Sequence, residues 1–320
     1  MKKKFLALGL AVTMAASLAG CGGGGQSETS AATTAATEST KAEDTGSESK
    51  ADEGSQEESE NNSEAGADLQ TVTPGKLTIA TSPDFAPYEF YAIGEDGTPT
   101  LAGFDMALAQ YIADDLGLEL EIVTVDFDGV LSELQTKSVD LGMAGLSPDP
   151  KRESIMAFSD LYYIGGQSLV TVKANAETYN TLESINKPEV SVGAQIGSIQ
   201  MDLATANSPD ADIVPLPKVT DIIAELLAGK LDAAYIETDV AKSYQKNYPE
   251  LEIVVEVPYE QEGSSIGVCK GNDALLAAVN GSIAKALEDG SMERFIAEAN
   301  ELASGEKYEG LLDENEQIQQ

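Results

Sequence analysis

The sequence predicts an α/β protein of two lobes, each a mostly parallel sheet flanked by helices, facing each other across a cleft. Three observations predict it. The chain has 320 residues, more than one average domain holds. From Lys76 onward, short apolar strands alternate with segments of helical period. One pattern also recurs: Ser132-Glu133-Leu134, Val139-Asp140 and an apolar strand are echoed by Ala224-Glu225-Leu226, Leu231-Asp232 and an apolar strand.

Composition narrows the chemistry. A net charge of −36 argues against nucleic acid and against electrostatic binding to anionic lipid. The chain contains no histidine, which removes Ser-His-Asp and Cys-His catalysis and the commonest metal ligand. The two cysteines, Cys21 and Cys269, make no zinc spacing, and neither a metal nor a cofactor is expected.

The first residues form a targeting segment. Lys2, Lys3 and Lys4 precede an apolar run from Phe5 to Ala16 that is too short to span a bilayer. Leu18-Ala19-Gly20-Cys21 resembles the bacterial lipoprotein lipobox, which implies cleavage after residue 20 and a lipid thioether on Cys21. Residues 21–71 are rich in Ser, Thr, Ala and Glu without apolar period, and read as a disordered acidic tether.

The folded part is expected to begin near Val72. Lys76 to Ala80 reads as a strand, followed by a loop with Phe85 and Tyr88 and a hairpin-like excursion through Gly94 to Gly97. Asp105 is expected to cap a helix ending before Gly117. Leu120 to Val125 is the next strand, Gly129 to Lys137 a short helix, and Val139 to Ala144 another strand. A second series follows: strands at 169–172, 190–194 and 231–236, a helix opened by Gly197-Ser198, and a helix capped by Thr220 or Asp221. The run 274–303 is amphipathic and is expected to pack on the first lobe, and residues 313–320 to fray.

Within Ala144–Tyr163, Asp149 and Pro150 suit an N-cap and a first helical residue. Arg152 then falls in the first turn, where a cation opposes the helix dipole. Either an anionic ligand group compensates it, or Glu153 or Asp160 pairs with it at the surface.

Several motifs now stand in order. They are Phe85-Ala86-Pro87-Tyr88; Gly103-Phe104-Asp105; Phe127-Asp128-Gly129-Val130-Leu131; and Ala144-Gly145-Leu146-Ser147 with Arg152 and Phe158 to Tyr163. Val192 to Ser198 and Leu231 to Glu237 complete the series. From about Lys76 to Leu302 the chain resembles the bacterial extracellular solute-binding proteins, family 3, of polar amino acid ABC transporters. The resemblance implies a periplasmic-binding-protein-like (type II) fold: residues 72–168 with 262–312 as one lobe, 169–261 as the other, and a two-strand hinge near Gln167–Thr171 and Glu260–Ser265.

It also implies roles, residue by residue. Arg152 and Ser147 would hold a ligand α-carboxylate, with the amides at Gly197, Ser198 and Ile199 opposite. The carbonyl of Gly145 and the carboxylate of Glu237 would take the α-ammonium. Phe85 and Phe127 would wall the ligand, and Ser82 and Gln195 would line its side-chain end. Such a protein captures a free L-amino acid by hinge closure and delivers it to permease subunits. It acts as a lipid-anchored monomer outside the cell membrane and is not an enzyme. Pro148-Asp149 and Ile199 depart from the family pattern. Ser82 stands where relatives selecting cations often carry an acid, so a polar or uncharged amino acid is expected, although Asp84 and Glu89 are near. A ligand-sensing module and a cyclohexadienyl dehydratase-like enzyme are the alternatives on the same fold.

Overall fold

A computed structural model describes residues 69–94, 96–260 and 263–304. The readings on the signal segment, Cys21, most of the tether and the terminal tail lie outside these residues. The chain joins the fold slightly before Val72. Leu69 packs on the core, the Val72 amide donates to Asp140 Oδ1 at 2.7 Å, and Asn272 donates to the Gln70 carbonyl at 2.7 Å.

The first lobe contains β1 (Lys76–Thr81), β2 (Asp84–Phe85), β3 (Glu89–Ile93), β4 (Pro99–Ala102), α1 (Phe104–Leu116), β5 (Glu119–Thr124), α2 (Phe127–Thr136), β6 (Leu141–Gly142) and β7 (Met156–Phe158). The chain crosses to the second lobe for β8 (Gln167–Val172), α3 (Leu182–Ile185), β9 (Ser191–Gln195), α4 (Ile199–Asn207), β10 (Asp212–Leu216), α5 (Val219–Leu227), β11 (Ala233–Glu237), α6 (Thr238–Asn247) and β12 (Leu251–Glu256). It returns for β13 (Gly267–Cys269), α7 (Asp273–Glu288) and α8 (Ser291–Ala303).

The first lobe's sheet runs β5-β1-β6-β13-β7 and the second's β10-β9-β11-β8-β12, with β2-β3-β4 as a small separate sheet. Both large sheets follow one plan. In each, three strands on one side are parallel, and the strands nearest the crossings add antiparallel pairings. The expected parallel order therefore describes half of each sheet. The other half is antiparallel because β8 and β13 enter their sheets from the crossing segments, against the direction of the α/β crossovers.

Burial follows position in the sheet. β1 lies between β5 and β6 and is buried over nearly its whole length, although its sequence suggests alternation. Ile79 packs in the cluster that holds Leu108 and Ile112 of α1, while Ala80, on the other face, packs with Val130 and Leu134 of α2. In the second lobe, Ala233 and Tyr235 face the cluster containing Ala204 of α4, and Ala234 and Ile236 face Ile222, Ile223 and Leu226 of α5. The C-terminal helices α7 and α8 pack on α1 of the first lobe.

Several local expectations need correction. Asp105 does not cap α1: Gly103 holds that position, and Asp105 turns inward, fully buried, to accept from Tyr162 Oη at 2.9 Å and the Gly145 amide at 3.2 Å. Lys218, not Thr220 or Asp221, is the N-cap of α5. The helix start at Asp149 is a single 3-10 turn over Pro150–Arg152, with Asp149 Oδ1 accepting from the Lys151 amide at 2.9 Å. So short a turn has no macrodipole to oppose Arg152. The crossing expected near Gln167 runs directly into β8, which is paired from Gln167 onward. The crossing strands touch earlier, at an antiparallel bridge between Tyr163 and Ser264.

Candidate functional site

The strand ends of both lobes meet at a seam, and most of the expected residues lie on it. In the first lobe Arg152 is 8% exposed, and its guanidinium carbon lies 5.7 Å from the ring centre of Phe127, the first residue of α2. Arg152 Nη1 donates to the Ser147 carbonyl at 3.4 Å, and Nη2 crosses the seam to the Gly197 carbonyl at 2.9 Å. Neither Glu153 nor Asp160 pairs with it, and burial pulls its pKa below the ordinary arginine value. Among the described residues its hydrogen bonds go to backbone oxygens, with Asp149 and Asp202 near enough to favour its charge, so the guanidinium keeps donors for an anion.

Gly197 has a φ of +76°, which lets the chain turn sharply from β9 into α4. Ser198 then caps α4, its Oγ accepting from the Met201 amide at 3.3 Å and donating to the Gln195 carbonyl at 2.8 Å. Ile199 opens the helix, whose first amides have no carbonyl partner within their own turn. Arg152 and these amides are thus brought together from opposite lobes.

Gly145 has a φ of +55°, and a Cβ there would lie 2.8 Å from Phe85 Cε1. Only glycine fits this turn against that ring. Phe85 also packs on Tyr88, ring centres 5.2 Å apart. Both phenylalanines are buried, Phe85 against Gly145 and Phe127 beside the Arg152 guanidinium.

Ser82 and Gln195 are brought together through Asp84. Ser82 Oγ donates to Asp84 Oδ1 at 2.7 Å, and Gln195 Nε2 donates to Asp84 Oδ2 at 3.1 Å and to the Pro217 carbonyl at 3.1 Å. Asp84 lies at the seam itself, with its carboxyl pushed up to about 6 by burial. Sequence reading named Asp84 only as a neighbour, because its partners are far along the chain.

Glu237 ends β11, where it pairs with Gln167 of β8 beside the crossing. Its carboxylate accepts from the amides of Gly166, Asp239 and Val240, at 3.2, 2.7 and 2.8 Å, and so caps α6. Burial pushes its pKa up to about 8 against the pull of these amides. A Cβ on Gly165 would lie 2.5 Å from Glu237 Oε1 and 2.9 Å from Tyr88 Oη, so the acid and Tyr88 of the first lobe face one small space. Among the described residues Glu237 forms no direct bond to Arg152.

Tyr163, Tyr88 and Tyr244 were not singled out as site residues. Tyr163 Oη donates to Asp239 Oδ2 at 2.7 Å across the crossing, and Tyr244 Oη donates to the Asp84 carbonyl at 3.0 Å. Among the described residues no group of three or more acids or cysteines is placed to hold a metal, and no helix is long and apolar enough to cross a membrane.

Comparison with known proteins agrees with this architecture. Residues 77–299 match the bacterial extracellular solute-binding proteins, family 3. The arginine-binding extracellular protein ArtP of Bacillus subtilis is 30% identical over 223 residues, covering 68% of this chain and 84% of that protein. The crystal structure of the amino acid ABC transporter substrate-binding protein AbpA of Streptococcus pneumoniae, bound to L-arginine, superposes with a TM-score of 0.69 at 33% identity. The match covers 72% of this chain and 97% of that one. A cyclohexadienyl dehydratase of Pseudomonas aeruginosa is 29% identical over 177 residues, 55% of this chain and 65% of that enzyme.

Proposed function

The chain belongs to the bacterial extracellular solute-binding proteins, family 3, and from that premise we propose that it captures one free amino acid at the seam between its lobes and presents it to an ABC-type permease. The observation that carries the reading is Arg152: a buried cation whose hydrogen bonds, among the described residues, go to backbone oxygens, one of them in the turn that starts α4 of the other lobe. A ligand α-carboxylate fits between a guanidinium fork and helix amides. Ser147 stands beside it. The α-ammonium goes to Glu237 and the Gly145 carbonyl, and Phe85 and Phe127 flank the ligand.

The side-chain end carries Ser82 and Gln195, both neutral, which supports a polar or uncharged amino acid. The arginine named for ArtP and AbpA favours a second reading, a cationic ligand, and Asp84 is the acid it would use. Lipid attachment at Cys21, a monomeric state and a place on the outer face of the cell membrane complete the proposal. A sensing role would use the same site. The dehydratase relative favours one further reading, in which Glu237 acts as an acid on a prephenate-like substrate. A product assay tests it, and we propose that no turnover is found.

A thermal-shift panel of the common amino acids tests the main reading. Ligand at a hundred times its dissociation constant adds about 2.7 kcal/mol of stability. No shift with any amino acid, or an undiminished shift in Arg152→Ala, would overturn it.

A further inference from the structure

We propose that Asp84 is the latch between the lobes, and that it sets the affinity for every ligand alike rather than the choice among ligands. The inference rests on the amino acid reading of the same site and divides the two roles an acid there could have.

Asp84 sends three hydrogen bonds' worth of acceptors into the second lobe. Its Oδ2 accepts from Gln195 Nε2 at the end of β9 and from the Val219 amide, the first of α5. Its backbone oxygen accepts from Tyr244 Oη of α6. Three separate elements of one lobe are thus tied to a two-residue strand of the other. The remaining carboxylate oxygen is oriented by Ser82. The residue is 5% exposed; burial raises its carboxyl, and the hydrogen bonds from Ser82 and Val219 and the Lys218 ammonium oppose that rise. Lys218 itself reaches Asp126 of the first lobe at 3.6 Å, beside the same contact.

A carboxylate offers about four acceptor positions, and here three are taken by protein donors. A cationic ligand would meet a carboxylate with one acceptor position left, its charge already shared with an amide at a helix start, where an anion is favoured by geometry and by the dipole. Glu89, the other nearby acid, is not a substitute. It is wholly buried, its Cα is paired with Phe85 in the small sheet, and its carboxyl lies near that of Asp105. The side-chain end of the site is then left to Ser82 and Gln195.

The consequence is distinctive. When binding requires closed lobes, the apparent dissociation constant is the intrinsic one divided by the closed fraction. A change that lowers the closed fraction multiplies the constant of every ligand by one factor. A change that removes a ligand contact affects only ligands making it.

The test uses the full chain with Asp84→Ala, Asp84→Asn and, apart from the ligand, Tyr244→Phe. Dissociation constants are measured by titration calorimetry for arginine, glutamine and each other amino acid that binds the unmodified protein. Lobe separation is read by Förster transfer between one label on each lobe. Asp84→Ala is expected to weaken all ligands by a similar factor of about tenfold or more, and Tyr244→Phe by a smaller common factor. Both should widen the label distance. Loss confined to cationic ligands makes Asp84 a ligand group and overturns the proposal, as does no change in affinity or distance. If no amino acid binds the unmodified protein, the functional reading fails, and the label distance still decides the latch: wider in Asp84→Ala upholds it, unchanged overturns it.

Discussion

Arg152 of the first lobe donates to the backbone oxygen of Gly197 in the second at 2.9 Å. One bond thus joins the residue best suited to hold a carboxylate to the turn that starts the opposing helix. If the proposed carboxylate site lies here, it shares its parts with the seam, and closure and recognition are coupled at this point.

Removing the guanidinium should therefore cost binding heavily. Truncating one partner of a buried, hydrogen-bonded charge pair costs about 2–5 kcal/mol. Arg152→Ala is expected to weaken amino acid binding by about a hundredfold or more by titration calorimetry, and Arg152→Lys to recover only part, because an ammonium cannot make a bidentate fork. Full affinity in Arg152→Ala would rule out the carboxylate clamp.

Binding should depend on pH through Glu237. Its carboxyl is raised to about 8 by burial, so below that pH it is largely protonated before ligand arrives. An α-ammonium beside it favours the ionised form, so binding releases a proton. Affinity is expected to rise from pH 6 to pH 8, with proton release measured by calorimetry in buffers of different ionisation enthalpy. Glu237→Gln should bind weakly with a flat profile. A wild-type profile equally flat would remove Glu237 from the ammonium site.

The pair Glu89 and Asp105 should make the fold less stable as pH rises. Burial raises Glu89 well above the ordinary carboxyl range, with the charges of Asp105 and Asp84 adding to it. Burial raises Asp105 to about 6 against hydrogen bonds from Tyr162 and Gly145. Above the ordinary carboxyl pKa the folded state holds more protons than the unfolded one, so stability is lost on going upward through pH 6. The melting midpoint should be higher at pH 5 than at pH 8, each 1 kcal/mol moving it about 2–4 °C. Glu89→Gln should melt with a shallower slope, and an identical slope would show that Glu89 does not titrate in this range.

Gly145→Ala tests the first lobe's turn. The left-handed φ and the close Phe85 ring both oppose a Cβ, and the strain is about 1–2 kcal/mol before any clash. Chemical denaturation should show at least that loss, together with weaker binding. Gly145→Ala combined with Phe85→Leu should recover part of the stability, since the ring no longer blocks the methyl. No recovery would place the cost in the backbone alone.

Cys21→Ser tests the anchor. In a bacterial host, metabolic labelling with a fatty acid should mark the unmodified chain and leave it in the membrane fraction. The variant should be unlabelled and released. Labelling that persists in the variant would refute attachment at Cys21.

Much of this protein was legible along the chain. Local sequence determined where strands and helices alternate, because apolar period and turn residues act over a few neighbours: β1, α1, α2 and β9 fall where the pattern puts them, within their ends. Ordered motifs pointed to Arg152, Gly197, Ser198 and Glu237 as candidates, and the fold brings Arg152 and Gly197 into contact. Tertiary structure alone decided what long-range partners set. The inward turn of Asp105 depends on Tyr162 and Gly145. The crossing at Tyr163 and Ser264 joins segments far apart in sequence. Asp84 meets Gln195, Val219 and Tyr244 only when the lobes fold against each other. A carboxylate in a two-residue strand carries no local sign of such partners, since its burial and hydrogen bonds come from residues more than a hundred positions away in the chain.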